Sequence, residues 1–270
     1  MAREEIVTFE VEGEAVVGTL RLAGGNASPV VLLLHGFAGT RDELATPALG
    51  MGIFAYVAER LETLGFSSLR IDFRGSGESG GRFADTTYSC QIADCVAAME
   101  FIAAHPAIDP SRLYLLGWSQ GGLVAAVTAG QTNRPAGIAL WAAVGEPAVS
   151  FPTLIGQEAY QRGLASDRPV DIQMPWGASL TLGPAFFAEV AAMDPLTHIA
   201  AYRGPAFFAE GTLDRAIAVG TAGKFAAAHR GPQELWTAPM DHAFNSGTTR
   251  ETLDDLIAAT AAFFTRTPAT

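Results

Sequence analysis

Residues 6–11 and 15–22 alternate apolar and polar positions on either side of Glu12-Gly13-Glu14, a pattern that predicts an antiparallel hairpin. Residues 30–34 are apolar without a break, which marks a strand buried on both faces. From about residue 51 to 64 the spacing becomes helical. Phe54, Val57, Leu61 and Leu64 share a face, and Gly65 stops the helix. Residues 67–72 predict a strand, and 88–104 a helix with Ile92, Cys95, Val96, Met99 and Ile102 on one side. Asp109-Pro110-Ser111 turns the chain into a strand over 112–117, and a helix opens near Gln120. Strands over 137–141, 205–210 and 233–236 follow. Helices are predicted over 217–228 and around Leu253, Leu256, Ile257 and Phe264.

Strands that alternate with helices predict an α/β fold with a mainly parallel, doubly wound sheet, here of eight strands with helices on both faces. The leading hairpin predicts an antiparallel edge. The rhythm fails between Gly145 and Gly204, where a crossover needs far fewer residues. That stretch holds Phe151, Tyr160, Trp176, Phe186 and Phe187. A small hairpin over 170–174 and 179–182 and a short helix from Pro184 to about Asp194-Pro195 are expected there. Residues 1–144 and 205–270 therefore read as one core domain, and 145–204 as an inserted cap.

The candidate chemistry sits at strand ends. An apolar strand runs into Gly117-Trp118-Ser119-Gln120-Gly121-Gly122, and a helix starts at once. Gly-x-Ser-x-Gly alone is a weak signal; at a strand-to-helix turn it is a strong one. A serine there is held in a strained backbone, and only glycine tolerates the close approach two residues either side. Ser119 is the candidate nucleophile. Of the five histidines, His242 lies after the last strand and before the last helix, at the sheet edge where Ser119 emerges, and is the candidate base. Asp214, after Phe207-Phe208-Ala209-Glu210-Gly211, is the candidate orienting acid. Asp241 and Glu210 remain its rivals. The oxyanion donors are expected to be the backbone N–H groups of Gln120 and of Phe37, in His35-Gly36-Phe37-Ala38-Gly39, with His35 bracing that loop.

Gly75-Ser76-Gly77-Glu78-Ser79-Gly80 formally matches a dinucleotide fingerprint, but no helix opens on its glycines and it does not follow the first strand, so no cofactor is expected. Asp72 and Arg74 are expected to pair and fix this loop, with Phe73 and Phe83 walling the approach to the site.

Composition narrows the picture. The chain has 270 residues, 49% apolar and 17% charged, and a net charge of −11. An acidic surface argues against nucleic acid and anionic lipid. No run approaches ~18 uninterrupted apolar residues, so no membrane span is expected. The start, Met1-Ala2-Arg3-Glu4-Glu5, lacks the layout of a leader, which points to a cytoplasmic protein. Cys90 and Cys95 read as free thiols, and no cluster suggests a metal.

Together, His35-Gly36-Phe37, Asp72 to Ser79, Gly117 to Gly122, Gly211-Thr212-Leu213-Asp214 and Asp241-His242 resemble the α/β-hydrolase superfamily of serine esterases, and within it the bacterial cinnamoyl or feruloyl esterases with an inserted lid. The resemblance implies an α/β-hydrolase fold and hydrolysis of small esters with an aromatic or apolar part, without cofactor. It makes Gln157, Tyr160 and Trp176 of the cap candidate substrate contacts. Trp118 departs from it, because those esterases often carry His before the nucleophile. The expected partner is a small ester, with a homodimer as an allowed assembly. A serine peptidase or amidase on the same fold is the alternative, and a non-catalytic ligand-binding protein a more distant one; for the peptidase, no acidic cluster for a peptide amine is evident in the sequence.

Overall fold

A computed structural model describes residues 3–24 and 27–267. Met1 and Ala2, the first residues of the stretch read for a leader, lie outside the described residues. The strands are β1 (Arg3–Val11), β2 (Glu14–Leu22), β3 (Ser28–Leu34), β4 (Ser67–Ile71), β5 (Ile108–Trp118), β6 (Gly137–Trp141), β7 (Val170–Gln173), β8 (Ser179–Leu182), β9 (Ala206–Gly211) and β10 (Gln233–Ala238). Eight of them form one sheet in the order β1-β2-β4-β3-β5-β6-β9-β10. β2 pairs antiparallel with both β1 and β4, and every other pairing in this sheet is parallel. The expected antiparallel edge is present. β7 and β8 make a separate two-stranded sheet.

The helices are α1 (Ile53–Thr63), α2 (Tyr88–Ala103), α3 (Gln120–Thr132), α4 (Pro147–Ile155), α5 (Gln157–Ala165), α6 (Pro184–Ala192), α7 (Pro195–Ile199), α8 (Thr221–Ala228) and α9 (Glu251–Arg266). β3 shows why a central strand must be apolar throughout. Leu32 and Leu34 pack into one core with Ile92, Met99 and Ile102 of α2 and Leu123 of α3. Val31 and Leu33 pack into the other, with Phe54, Val57 and Leu61 of α1 and Leu256, Ile257 and Phe264 of α9. Leu64, expected on the buried face of α1, is exposed at its C-cap.

Two element starts and part of the content of 145–204 differ from expectation. β5 begins at Ile108, ahead of the expected turn, and its register with β3 shifts between Ser28 and Val30. The Asp109 carboxylate accepts the backbone N–H and hydroxyl of Ser111 and the Arg112 guanidinium at this irregularity. α8 begins at Thr221, not Ile217, because Gly220 directly before it sits at the left-handed φ 96°, which an α-helix does not contain. The segment between β6 and β9 also contains α4, α5 and α7, which were not expected.

The expected pair of Asp72 and Arg74 does not form. Arg74 bonds the carboxylate of Asp94 at 2.6 Å and that of Glu12 at 2.8 Å. Asp72, fully buried, takes the backbone N–H and guanidinium of Arg41 and the N–H of Glu78. The glycine-rich loop wraps over Asp72, since a Cβ at Gly77 would lie 2.2 Å from its carboxylate. Phe73 is buried against His35, Phe83 packs on Phe37, and neither lines the cavity beside Ser119. Cys90 and Cys95 are both free. No described helix is long and apolar enough to cross a membrane.

Candidate active site

Ser119 follows β5 directly and caps α3 with φ 56° and ψ −116°. The turn is possible because of its glycines. A Cβ at Gly117 would meet the carbonyl oxygen of Gly121 at 2.1 Å, one at Gly121 would meet that of Leu34 at 1.9 Å, and one at Gly122 would meet the Ala143 methyl at 2.5 Å. The backbone is pinned to the next strand: Ser119 N–H donates to Trp141, and Val144 N–H donates to the Ser119 carbonyl, both at 3.0 Å.

His242 and Asp214 come from the ends of β10 and β9, which are parallel neighbours. Nδ1 of His242 lies 2.8 Å from Oδ2 of Asp214. Oδ1 of Asp214 accepts the N–H groups of Ala216 and Ile217 at 2.7 and 2.9 Å. Burial pushes the Asp214 carboxyl upward, but the His242 hydrogen bond and charge, with these two backbone donors, outweigh it and hold the group below the usual carboxylate range. Both rivals are engaged elsewhere. Glu210 accepts the N–H groups of Gly220 and Ala222 at the start of α8. Asp241 accepts those of Ala243 and Asn245, and Asn245 returns the bond to the N–H of Asp241, so the two close the histidine loop. The imidazole rests on the ring of Trp118, centroids 5.4 Å apart, one residue before Ser119.

Ser119, Gln120, Phe37, His242 and Trp176 all line one cavity of about 590 Å³, with Gly36, Glu43, Tyr88, Trp118 and Phe151 among its other walls. Gln120 is the first residue of α3, where backbone N–H groups have no partner within the helix. Its buried side chain donates to Gln91 of α2 at 2.9 Å. The Phe37 loop is held by His35: Phe73 N–H donates to Nε2 at 3.1 Å, so the proton sits on Nδ1 and is donated to the Gly36 carbonyl at 2.8 Å. Desolvation keeps His35 neutral, down to about 4, against the weaker upward pull of the Gly36 bond and Asp72. Gln157 and Tyr160 are not part of the lining. Gln157 is exposed at the start of α5, and Tyr160 is buried against Phe187. Glu43 and Tyr88 are walls that sequence reasoning missed. Glu43 sits in an unpatterned loop beside Asp42, and only its later closeness to Gly36 distinguishes it. Among the described residues no group of three His, Cys, Asp or Glu is arranged to hold a metal.

An eight-stranded, mostly parallel sheet with this strand order, a strained serine after β5, and acid and histidine after β9 and β10 defines an α/β hydrolase. Residues 29–163 match the family described as alpha/beta hydrolase fold, and the chain belongs to it. Among curated proteins it is similar to polyketide transferase ATR5 of Stachybotrys chlorohalonatus, 27% identical over 139 residues, 51% of this chain and 43% of that one. It is also similar to quorum-quenching protein AidA of Acinetobacter baumannii, 32% identical over 113 residues, 42% of this chain and 34% of that one. The chain spans less than half the length of these relatives. Among solved structures, Est1E from Butyrivibrio proteoclasticus with ferulic acid bound superposes with a TM-score of 0.78 at 18% identity, over 95% of this chain and 98% of that one. The Pyrococcus furiosus esterase Pf2001 gives 0.73 at 18% identity, over 98% and 91%.

Proposed function

We propose that the chain is a carboxylic ester hydrolase that works through Ser119, His242 and Asp214 and an acyl-enzyme intermediate. The observation that carries this reading is the Asp214–His242 hydrogen bond beside a strained Ser119 on the wall of a single cavity. Ser119 Oγ attacks the ester carbonyl while Nε2 of His242 takes its proton; the Asp214 carboxylate fixes the tautomer and stabilises the imidazolium. The N–H groups of Phe37 and Gln120 receive the oxyanion, and losing one such donor costs about 2.7–4 kcal/mol of transition-state stabilisation. Collapse expels the alcohol, which takes the proton from His242. Water then attacks the acyl-enzyme by the same route and frees the acid.

The substrate is a small ester with an aromatic or apolar part. Phe37, Tyr88, Trp118, Phe151 and Trp176 supply the matching walls, and the likeness to Est1E, which holds ferulic acid, agrees with that choice. The inserted segment acts as a lid, contributing Pro147, Ser150, Phe151, Leu154 and Trp176 to the cavity. Two assays test the reading: a panel from short-chain nitrophenyl esters to methyl ferulate, and labelling by a fluorophosphonate, each with wild type and Ser119→Ala. Turnover and labelling that both vanish with the hydroxyl are expected. Faster hydrolysis of an aminoacyl anilide than of every ester overturns it in favour of a peptidase.

A further inference from the structure

Glu43 is a half-buried carboxyl that the proposed chemistry does not use. It lies on the loop between β3 and α1, at a left-handed φ of 61°, and lines the cavity with Ser119 and His242. One oxygen accepts the N–H of Gly36. A Cβ at Gly36 would stand 3.4 Å from that oxygen and 3.5 Å from Cβ of Ser119, so carboxylate and nucleophile flank the same missing side chain. Gly39 leaves room on the other side, where a Cβ would come within 2.8 Å of the second oxygen.

No cation neutralises this carboxylate among the described residues. Arg41, two residues before it, is engaged by Asp72 and Glu78. Arg70, nearby on β4, is engaged by Asp42 and Glu4. Across the cavity stand only Tyr88 and His242 as titratable groups, and His242 is bonded to Asp214. Burial without a countercharge pushes the Glu43 carboxyl up to about 7, against the pull of the Gly36 and Leu44 N–H groups. The walls around it, Phe37, Leu44, Trp118, Val144 and Phe151, offer no competing charge. A desolvated acid of this kind is stabilised by a cationic donor from the ligand, and hydrogen bonds to charged groups are the stronger ones.

We propose that Glu43 is a specificity-determining residue that selects esters carrying a protonated amine a few bonds from the scissile carbonyl, the ammonium pairing with its carboxylate. This rests on the esterase reading above. Phenyl esters of 3-aminopropanoate, 3-hydroxypropanoate and butanoate, compared at pH 8 in wild type and Glu43→Gln, test it. The carboxamide keeps an acceptor for Gly36, and intrinsic ester reactivity cancels when each ratio is compared between the two enzymes. The amino-to-butanoate ratio of kcat/KM should fall at least tenfold in Glu43→Gln, and the hydroxy-to-butanoate ratio much less. An unchanged amino ratio, or an equal fall in both, overturns the proposal. If wild type turns over no ester, the esterase reading fails, and ligand binding still decides the role of Glu43. n-Butylammonium, and not 1-butanol, should then raise the Tm of Ser119→Ala. The absence of an ammonium-specific rise, or a rise of equal size in Ser119→Ala/Glu43→Gln, overturns the proposal.

Discussion

Asp72 holds Arg41 by both its backbone N–H and its guanidinium, and so ties the loop that carries Phe37 to the loop that follows β4. The carboxylate is fully buried and the Arg41 side chain is 12% exposed. Removing one partner of a buried pair leaves the other uncompensated, at a cost of about 3–5 kcal/mol. Arg41→Ala, which strands the buried carboxylate, should lower the urea midpoint on that scale, and Asp72→Ala should lower it less, because Arg41 keeps its pair with Glu78. The double variant should lose much less than the two single losses together, because the second change removes the stranded charge. Both variants should lose kcat more than they raise KM, since the Phe37 N–H, an oxyanion donor in the proposed mechanism, would meet the oxyanion less well.

The Asp214–His242 bond sets the tautomer that the proposed mechanism needs. Asp214→Asn should leave the fold intact and lower kcat by roughly 10⁴-fold, because the carboxamide can donate to Nδ1 and turn the ring's proton toward Ser119. His242→Ala should abolish turnover to a similar extent. His198→Ala and His229→Ala should retain most of it, since His198 lies on α7 and His229 at the end of α8, both outside the cavity lining. Full activity in His242→Ala would remove the base.

The strands were legible because a sheet covered on both faces needs unbroken apolar runs, and 30–34 and 137–141 have nothing else to offer. Ser119 was legible because a tight turn restricts its neighbours to glycine. The Asp72–Arg41 pair was not. Its members are far apart in sequence, and adjacency favoured Arg74, whose side chain instead reaches Asp94 on α2. Glu43 was hidden for the same reason: an acid in an irregular loop reads as solvated until Gly36 folds back onto it. Among the aromatics of 145–204, sequence could not separate Trp176, which reaches the cavity, from Tyr160, which is buried in the core.

The backbone of Ser119, at φ 56° and ψ −116°, is the mirror image of an ordinary extended conformation. A side chain there is strained by about 1–3 kcal/mol, and glycine is not. Ser119→Gly should therefore be inactive and more stable than wild type by about 1 kcal/mol, read as a higher urea midpoint with an unchanged slope. A lower midpoint would show that the serine is at ease in this turn.

His35 accepts the Phe73 N–H at Nε2, so protonation there breaks a bond and buries a charge. Its ordinary value is 6.5 and its folded value about 4. Between the two, the unfolded chain holds more protons than the folded one, so this contribution to stability is present above pH 6.5 and is lost as pH falls toward 4. The loss is on the order of 3 kcal/mol when complete. His35→Gln, whose side chain has no such proton to take up, should show a flatter fall in urea midpoint between pH 6.5 and 4 than wild type.

Glu43 has the opposite slope. Its carboxyl is raised from 4.5 to about 7, so in that window the folded chain holds the extra proton. Stability from this group is therefore greatest below pH 4.5 and declines as pH rises through 7, where the buried carboxylate ionises without a cation beside it. Glu43→Gln cannot ionise and keeps an acceptor for Gly36. Its stability relative to wild type should climb between pH 4.5 and 7 and level off near pH 8, by up to about 3 kcal/mol. Urea midpoints of both proteins at pH 5, 6, 7 and 8 read this difference directly. A difference that does not grow with pH would mean that the carboxylate is already compensated in the folded chain.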